Sequence, residues 1–417
     1  AESLAAIQKA LFWKPEKPEY LAQLREVYFR GGKYRELADF LKKSRGTDRD
    51  AASQYDLAYC QYLIGRKGPW TMPDRAYNDL NLFPPLDRCL ALDENNEAVR
   101  AFAEEIVLRN YPLTDPLREK YARFHRERVA WFLSRGENEK AHLSWLRLVR
   151  LVPQNLDDRL GYASFLKDLG WTSSYLEQLK LIRNFSIVSK FEIEAKILIN
   201  ERRLSGSIER RYKLDPLAVD FVKQRLLLVA AIPVASRATR NVDEVFRQLL
   251  LDRLGQMHGV QAKLQDGRPL ETVLTQDPGD YYLSASIDEQ ATRLKVEFVL
   301  SDAVKRIPLE KKTFVTDGKE KYLELLSQFG RWLREALPPK GHVLVARPDH
   351  LVIGVGARDG LSPDKRLEVF SGTRTDLPAL GVLKPKEIEE YFCTAEIDQS
   401  DQLRFLKAGD TVIGKKK

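Results

Sequence analysis

Apolar residues recur through the first half of the chain at intervals of three and four, the period of amphipathic helices, and from about residue 226 the period shortens to two. The helical pattern itself repeats. Gly136 and Gly170 lie 34 residues apart, as do Phe132 and Leu166 and, nearer the N-terminus, Tyr28 and Tyr62, while Gly32 and Gly65 are separated by 33. A period of this length predicts stacked helix pairs, each unable to bury its apolar face without a neighbour. The third unit shows the division of labour: Phe132, the turn Gly136-Glu-Asn138, Ala141, Trp145 and Val152-Pro153. Glycine opens the turn between two helices, alanine lets them approach and proline stops the second. The first unit supplies Leu21, Leu24, Tyr28, Gly32 and Leu41; the second Leu57, Ala58 and Gly65 and then, after an insertion, Leu86 to Asn96; the fourth Leu160, Ala163, Leu166, Gly170, Tyr175 and Leu179.

These units resemble the tetratricopeptide-repeat family over about residues 1–185, with Glu97 to Tyr121 a degenerate pair and Gln61 and Arg128 departing from the pattern. The resemblance implies a curved array whose first helices line a groove for a peptide or partner helix. On that side Tyr55, Tyr59 and Tyr62 fall at i, i+4 and i+7. Such a stripe serves either as a binding surface or as packing within the array. The third unit adds Arg123 and Arg126, and the fourth Asp157, Ser164 and Lys167. The insertion Arg66 to Asp74 carries Trp70 and Met72 between prolines, as anchors if exposed or as a cap if folded back.

Past about residue 205 the repeat ends. The apolar run Leu226 to Val234 predicts a buried strand, and Val242 to Gly255 a helix with apolar residues at 242, 245, 246, 249, 250 and 254. Tyr281–Glu289 and Arg293–Asp302 alternate with period two and predict a hairpin with one covered face, Leu283, Ala285 and Ile287 opposite Leu294, Val296, Phe298 and Leu300. Lys311–Thr316 reads as a third strand, and Tyr322–Leu337 as a helix ending at Pro338-Pro339. This order, with Asp280 to Asp288 leading into Arg293-Leu-Lys-Val296 and Leu300-Ser-Asp-Ala303, resembles the N-terminal domain of the translocation protein TolB and the middle domain of the flagellar assembly protein T family. Ala285 stands where the family commonly has glycine.

Residues 340–417 read as short strands at 342–346, 351–355, 366–370, 380–383, 391–397 and 411–413, joined by glycine turns. The turn Gly354 to Leu361, the strand Leu367–Phe370, Leu380-Gly-Val382 and the closing Leu406 to Val412 resemble the SH3-like C-terminal barrel of the same flagellar family. The expected fold is therefore multidomain: an α-solenoid over 1–205, a linker over 206–225, an α+β TolB N-terminal-like domain over 226–339 and a small SH3-like β-barrel over 340–417.

Charge and chemistry narrow the function. The balance of 68 basic and 60 acidic residues, +8, is mostly dispersed, and its one local excess, Arg118 to Arg150, reads as a solvated helical face; no nucleic-acid partner is expected. The longest uncharged apolar run, Leu226 to Ala235, is half of the roughly 20 residues a membrane-crossing helix needs. Cys60, Cys89 and Cys393 read as buried thiols. The histidines, His125, His142, His258, His342 and His350, lack metal or triad spacing, and Gly354 to Gly360 leads into strands where a dinucleotide fingerprint would open a helix. Asp359 and Asp410 read as turn residues. No cofactor or catalytic residue is indicated. The chain starts at Ala1 without methionine, which fits removal of a leader or lipid anchor. The resemblances imply a non-enzymatic, periplasmic scaffold that binds envelope or flagellar motor proteins and could assemble into a ring. Alternatives are a cytoplasmic tetratricopeptide adaptor and an envelope secretion or assembly factor unrelated to flagella.

Overall fold

A computed structural model describes Lys9 and residues 18–415, except residues 45, 69–70, 186–189, 215–224, 230–231, 256, 258, 265–279, 304–305, 348–349, 376 and 400–405. Trp70 and His258 lie outside the described residues, as do residues 1–8 and 10–17 of the expected array and half of the expected linker.

The N-terminal region is built of α1 (Pro18–Arg30), α2 (Tyr34–Lys43), α3 (Ala51–Gly65), α4 (Phe83–Leu92), α5 (Glu97–Asn110), α6 (Pro116–Ser134), α7 (Asn138–Leu151), α8 (Leu156–Asp168), α9 (Thr172–Phe185) and α10 (Lys190–Leu204). Side-chain caps start four of them: Asp50 accepts from the amides of Ala52 and Ser53, Asn96 from Val99, Asp115 from Leu117 and Asn155 from Asp158. Gly136 and Gly170 take φ of +71° and +74° directly after α6 and α8, the left-handed turn that the 34-residue spacing predicts. Gly65 does something else. It is the last residue of α3, and a Cβ there would stand 2.5 Å from the Tyr77 ring, so the glycine makes room for the lead-in to α4.

The α+β region follows: β1 (Arg225–Val229), β2 (Val234–Ser236), α12 (Val242–Gly255, numbered after α11, Ser207–Tyr212), β3 (Val260–Leu264), β4 (Tyr281–Glu289), β5 (Arg293–Asp302), β6 (Ile307–Asp317) and α13 (Lys321–Ala336). The sheet order is β3-β1-β4-β5-β6, with β2 beside β4; β1 runs parallel to β3 and β4, and the rest of the main path is antiparallel. Leu283 pairs with Leu300, Ala285 with Phe298 and Ile287 with Val296, so the alternating residues share the buried face as expected. The run Leu226 to Val234 is not one strand. It divides into β1 and β2, because Pro233 has no N–H for a ladder and only its carbonyl is used, accepting from the Ile287 amide at 3.0 Å.

The six strands expected in the third part are all present: β7 (Lys340–Ala346), β8 (Leu351–Ile353), β9 (Leu367–Phe370), β10 (Gly381–Ile388), β11 (Cys393–Gln399) and β12 (Thr411–Gly414). They close as β10-β11-β8-β7-β12-β9. Asp359 and Asp410 hold turns: Asp359 accepts from the Gly356 amide at 2.9 Å, and the fully buried Asp410 from Gly372 and Lys407 at 2.8 and 2.9 Å. The chain is thus a many-helix N-terminal region, a mixed-sheet α+β domain and a closed six-stranded antiparallel barrel.

The parts share cores. One apolar cluster runs from Tyr55 in α3 through α4, α5 and α7 to α12, the sheet and α13. Gly330 in α13 is where α12 comes close: a Cβ there would lie 2.1 Å from the guanidinium of Arg253, whose side chain is buried. Alanine normally favours a helix over glycine by about 1 kcal/mol. Here Gly330→Ala is expected to destabilise the protein by about 1–3 kcal/mol through overpacking, read as a lower urea midpoint; an unchanged or raised midpoint contradicts this packing.

Candidate functional site

The part of the expected groove that carries the tyrosines is covered by the chain's own α12 and the residues leading into it, while α13 packs on α5 and α7. Tyr55 is buried, its hydroxyl donating to Asn241 Oδ1 just before α12, and its ring stands edge-on to Phe102 at 6.0 Å. Tyr62 is buried edge-on to the same ring at 5.1 Å, with the Arg66 guanidinium 5.2 Å over its own. Tyr59 is half-buried, stacked on Tyr62 and on Phe29. Burial pushes all three phenols up. Of the two readings left open by the sequence, the packing one describes their positions, extended beyond the array to the next domain.

The physical reason lies in the two helices. Each covers the sheet with one side and still has apolar residues on another: Leu249 of α12 lines a small gap with Ala101 and Leu108 of α5, and Leu323 and Leu326 of α13 meet Leu143 of α7. The seven buried positions of α12, Val242, Val245, Phe246, Leu249, Leu250, Arg253 and Leu254, follow the i, i+3, i+4 spacing of one broad apolar face, which the sheet and α5 share.

Charged groups fix this contact. Arg240 donates to Asp56 at 3.2 Å and to Glu26, and its guanidinium lies 4.7 Å from the Phe29 ring centre. Arg25 reaches the other oxygen of Asp56 at 3.2 Å. Glu97 accepts from the amides of Tyr322 and Leu323 at 2.8 and 3.2 Å, capping α13 from another domain, and burial pushes its carboxyl up to about 7. Glu320 pairs with Arg128 and with Lys140 at 3.3 Å, Glu139 with Arg334 at 3.1 Å, and Asp252 with Arg150. Behind them, His125 Nε2 meets Glu104 at 2.7 Å and Arg147 meets the same carboxylate at 3.3 Å. Burial opposes charge on Glu104, but His125 and Arg147 hold its carboxyl down at about 2; burial pushes His125 down, which favours a neutral ring donating to Glu104.

The remaining expected contact residues lie elsewhere. Arg126 is engaged within the array, bidentate to Asp158 at 2.8 and 2.7 Å and to Glu119 at 2.5 and 3.1 Å, so its charge is committed internally. Arg123, Asp157 and Lys167 are exposed on α6 and α8. The structure does not gather them with the tyrosines. Cys60, Cys89 and Cys393 are free and buried, and burial pushes the Cys89 thiol up to about 12.

The barrel is tied to both other parts. Glu389 accepts from the amides of Ser207 and Ile208 at 2.6 and 3.1 Å, capping α11, whose Ile208 is buried with Val352, Tyr391 and Phe392. The start of the expected linker is therefore docked on the barrel. Ser173 donates to Glu390 at 2.9 Å, and Lys340 pairs with Asp280. Between the sheet and the barrel lies a cleft of about 200 Å³, with Asp302, Leu309, Glu368 and Phe370 on its walls. Among the described residues, no helix is long and apolar enough to cross a membrane, and no group of His, Cys, Asp and Glu is placed to hold a metal.

No protein-family model and no curated protein matches the chain. Among solved structures, a PelC dodecamer from Paraburkholderia phytofirmans matches 28% of this chain and 89% of its own, at 13% identity and a TM-score of 0.24. A protein of the DUF330 family from Xanthomonas campestris matches 27% of this chain and 85% of its own, at 10% identity and a TM-score of 0.22. TolB from Acinetobacter baumannii matches 43% of this chain, at 11% identity and a TM-score of 0.22, and about half (51%) of that TolB is spanned. These are distant likenesses of fold, and the reading of function rests on the chain's own residues.

Proposed function

We propose that the chain is a non-enzymatic scaffold of the bacterial cell envelope, holding other proteins in the periplasm at a flagellar motor or a related trans-envelope machine. The observation that carries the scaffold reading is the joining of three unlike modules into one frame. An apolar core continues from α3 to α13, a carboxylate of α5 caps α13, and a carboxylate of the barrel caps α11. Helix ends satisfied across domain boundaries resist hinge motion, which suits a part that sets distances between neighbours. The envelope setting is supported by the order of elements in the α+β domain and by the barrel that follows it, the sequence features shared with TolB-type and flagellar assembly domains. The partners are reached through outer surfaces, because the side carrying the three tyrosines is spent on the internal contact.

The test is fractionation and crosslinking of the native protein in its own cells. Release with the periplasmic contents on osmotic shock, crosslinks to components of an envelope machine, and loss of swimming on deletion are the expected results. Recovery in the cytosol overturns the envelope setting; normal swimming with intact crosslinks to a different machine overturns the flagellar assignment; and turnover of a small-molecule substrate overturns the non-enzymatic reading.

A further inference from the structure

The last helix of the array has an outer side that nothing covers among the described residues. On α10 Ile193, Ile197 and Asn200 face inward and are buried. Phe191, Leu198 and Ile199 are 87%, 51% and 53% exposed, and Ala195 is exposed between them. Positions 191, 195, 198 and 202 follow helical spacing and make one stripe, with Ile199 at its flank. The exposed Leu181 of α9 adds to the apolar surface of the same end of the array. Apolar residues scattered singly over a surface need no explanation, but three large ones opening on one helix face mark a contact.

The charges around the stripe indicate what covers it. The N-terminal half of α10 carries Lys190, Glu192, Glu194 and Lys196 and the C-terminal half Glu201, Arg202 and Arg203, all exposed. Glu192 holds Lys196 at 2.6 Å and Glu201 holds Lys180 at 2.9 Å; Glu194, Arg202 and Arg203 make no ion pair among the described residues. A second α10 laid antiparallel about a two-fold axis near Leu198 sets Glu194 of each helix beside Arg202 of the other, twice over by symmetry. It also opposes the two helix dipoles. A parallel copy would set glutamate against glutamate and arginine against arginine. The small Ala195 beside the axis lets the helices approach. We propose that the chain pairs with a second copy of itself through the outer face of α10. Antiparallel pairing closes on itself and gives a dimer, not a ring. One helix pair buries less than the roughly 1,200 Å² of a standard stable interface, so the dimer is weak, with a Kd on the order of 10 μM. This inference does not depend on the envelope reading.

Sedimentation velocity of the full chain from about 1 to about 200 μM, a range bracketing such a Kd, tests it. A concentration-dependent shift from monomer to dimer is expected. Phe191→Glu and Leu198→Glu are expected to stay monomeric throughout, with circular dichroism and melting temperature unchanged because both side chains are exposed. Glu194→Arg and Arg202→Glu are each expected to weaken pairing about tenfold, and the double reversal to restore it to within a few-fold of the original. A wild-type chain monomeric over the whole range overturns the proposal and leaves the stripe to a different protein. So does a Leu198→Glu variant that dimerises normally, or a double reversal as weak as its single parents.

Discussion

Replacing Arg240 by alanine is expected to cost about 3–5 kcal/mol of stability, among the largest effects of any single substitution in this chain. The guanidinium sits between domains, with Asp56 and Glu26 of the helical region on one side and the Phe29 face beneath it. Asp56 is buried, and burial pushes its carboxyl up against the pull of Arg240 and Arg25. Removing Arg240 leaves Asp56 with Arg25 as its remaining cation, and leaves Glu26 with Arg30. The cost is therefore that of a half-compensated buried charge together with the stacking on Phe29, not that of a surface ion pair worth under about 1 kcal/mol. Urea unfolding of Arg240→Ala measures it. Adding Asp56→Asn to that variant is expected to recover part of the loss, because an amide needs no counter-charge; a loss below about 1 kcal/mol, or no recovery in the double variant, contradicts this account.

The same contact shows what the sequence made legible. Elements with a local signature were readable: the hairpin face from its strict alternation, the helix turns from glycines 34 residues apart, the six barrel strands from short apolar runs between glycines. β3 was not, because Val260–Leu264 is five residues of mixed pattern whose strand character depends on lying parallel to β1. The tyrosine stripe was found but its partner was not. Tyr55 meets Asn241 across 186 residues of chain, and helical spacing carries no information about which distant surface covers a face. Arg126 shows the same gap in electrostatics: its value as a contact residue depended on its charge being free, and Asp158 and Glu119 take it up. The apolar stripe of α10 was within reach of periodicity, since two opposite faces of one helix are both apolar, but the sequence alone does not tell which of them is turned inward.

A buried histidine and a half-buried glutamate respond to pH in opposite directions and shape the response to acid. Burial, aided by Arg253 and Arg334, pushes His142 down to about 3 from 6.5, where its ring meets the Tyr162 hydroxyl at 2.9 Å. Glu97 is pushed up to about 7 from 4.5, chiefly by burial. For His142 the unfolded chain binds the extra proton below pH 6.5, so its contribution to stability is present above 6.5 and is lost as pH falls toward about 3. For Glu97 the folded chain binds the extra proton, so its contribution is full below 4.5 and is lost as pH rises through about 7. Between pH 6.5 and 4.5 the two slopes have opposite sign and similar size, rising to about 1.4 kcal/mol per pH unit each, and largely cancel. Removing either exposes the other. Glu97→Gln is expected to lose about 2 kcal/mol relative to the parent over those two pH units on acidification, while His142→Gln gains about as much. Any acid response of His125, which burial also pushes down, is common to all three proteins and drops out of the differences. Urea midpoints at pH 6.5, 5.5 and 4.5 read the effect directly. Profiles of both variants that run parallel to the parent would mean that the α13 cap and the His142 ring keep ordinary proton affinities, and that the contact between the helical region and the α+β domain is wetter than its packing implies.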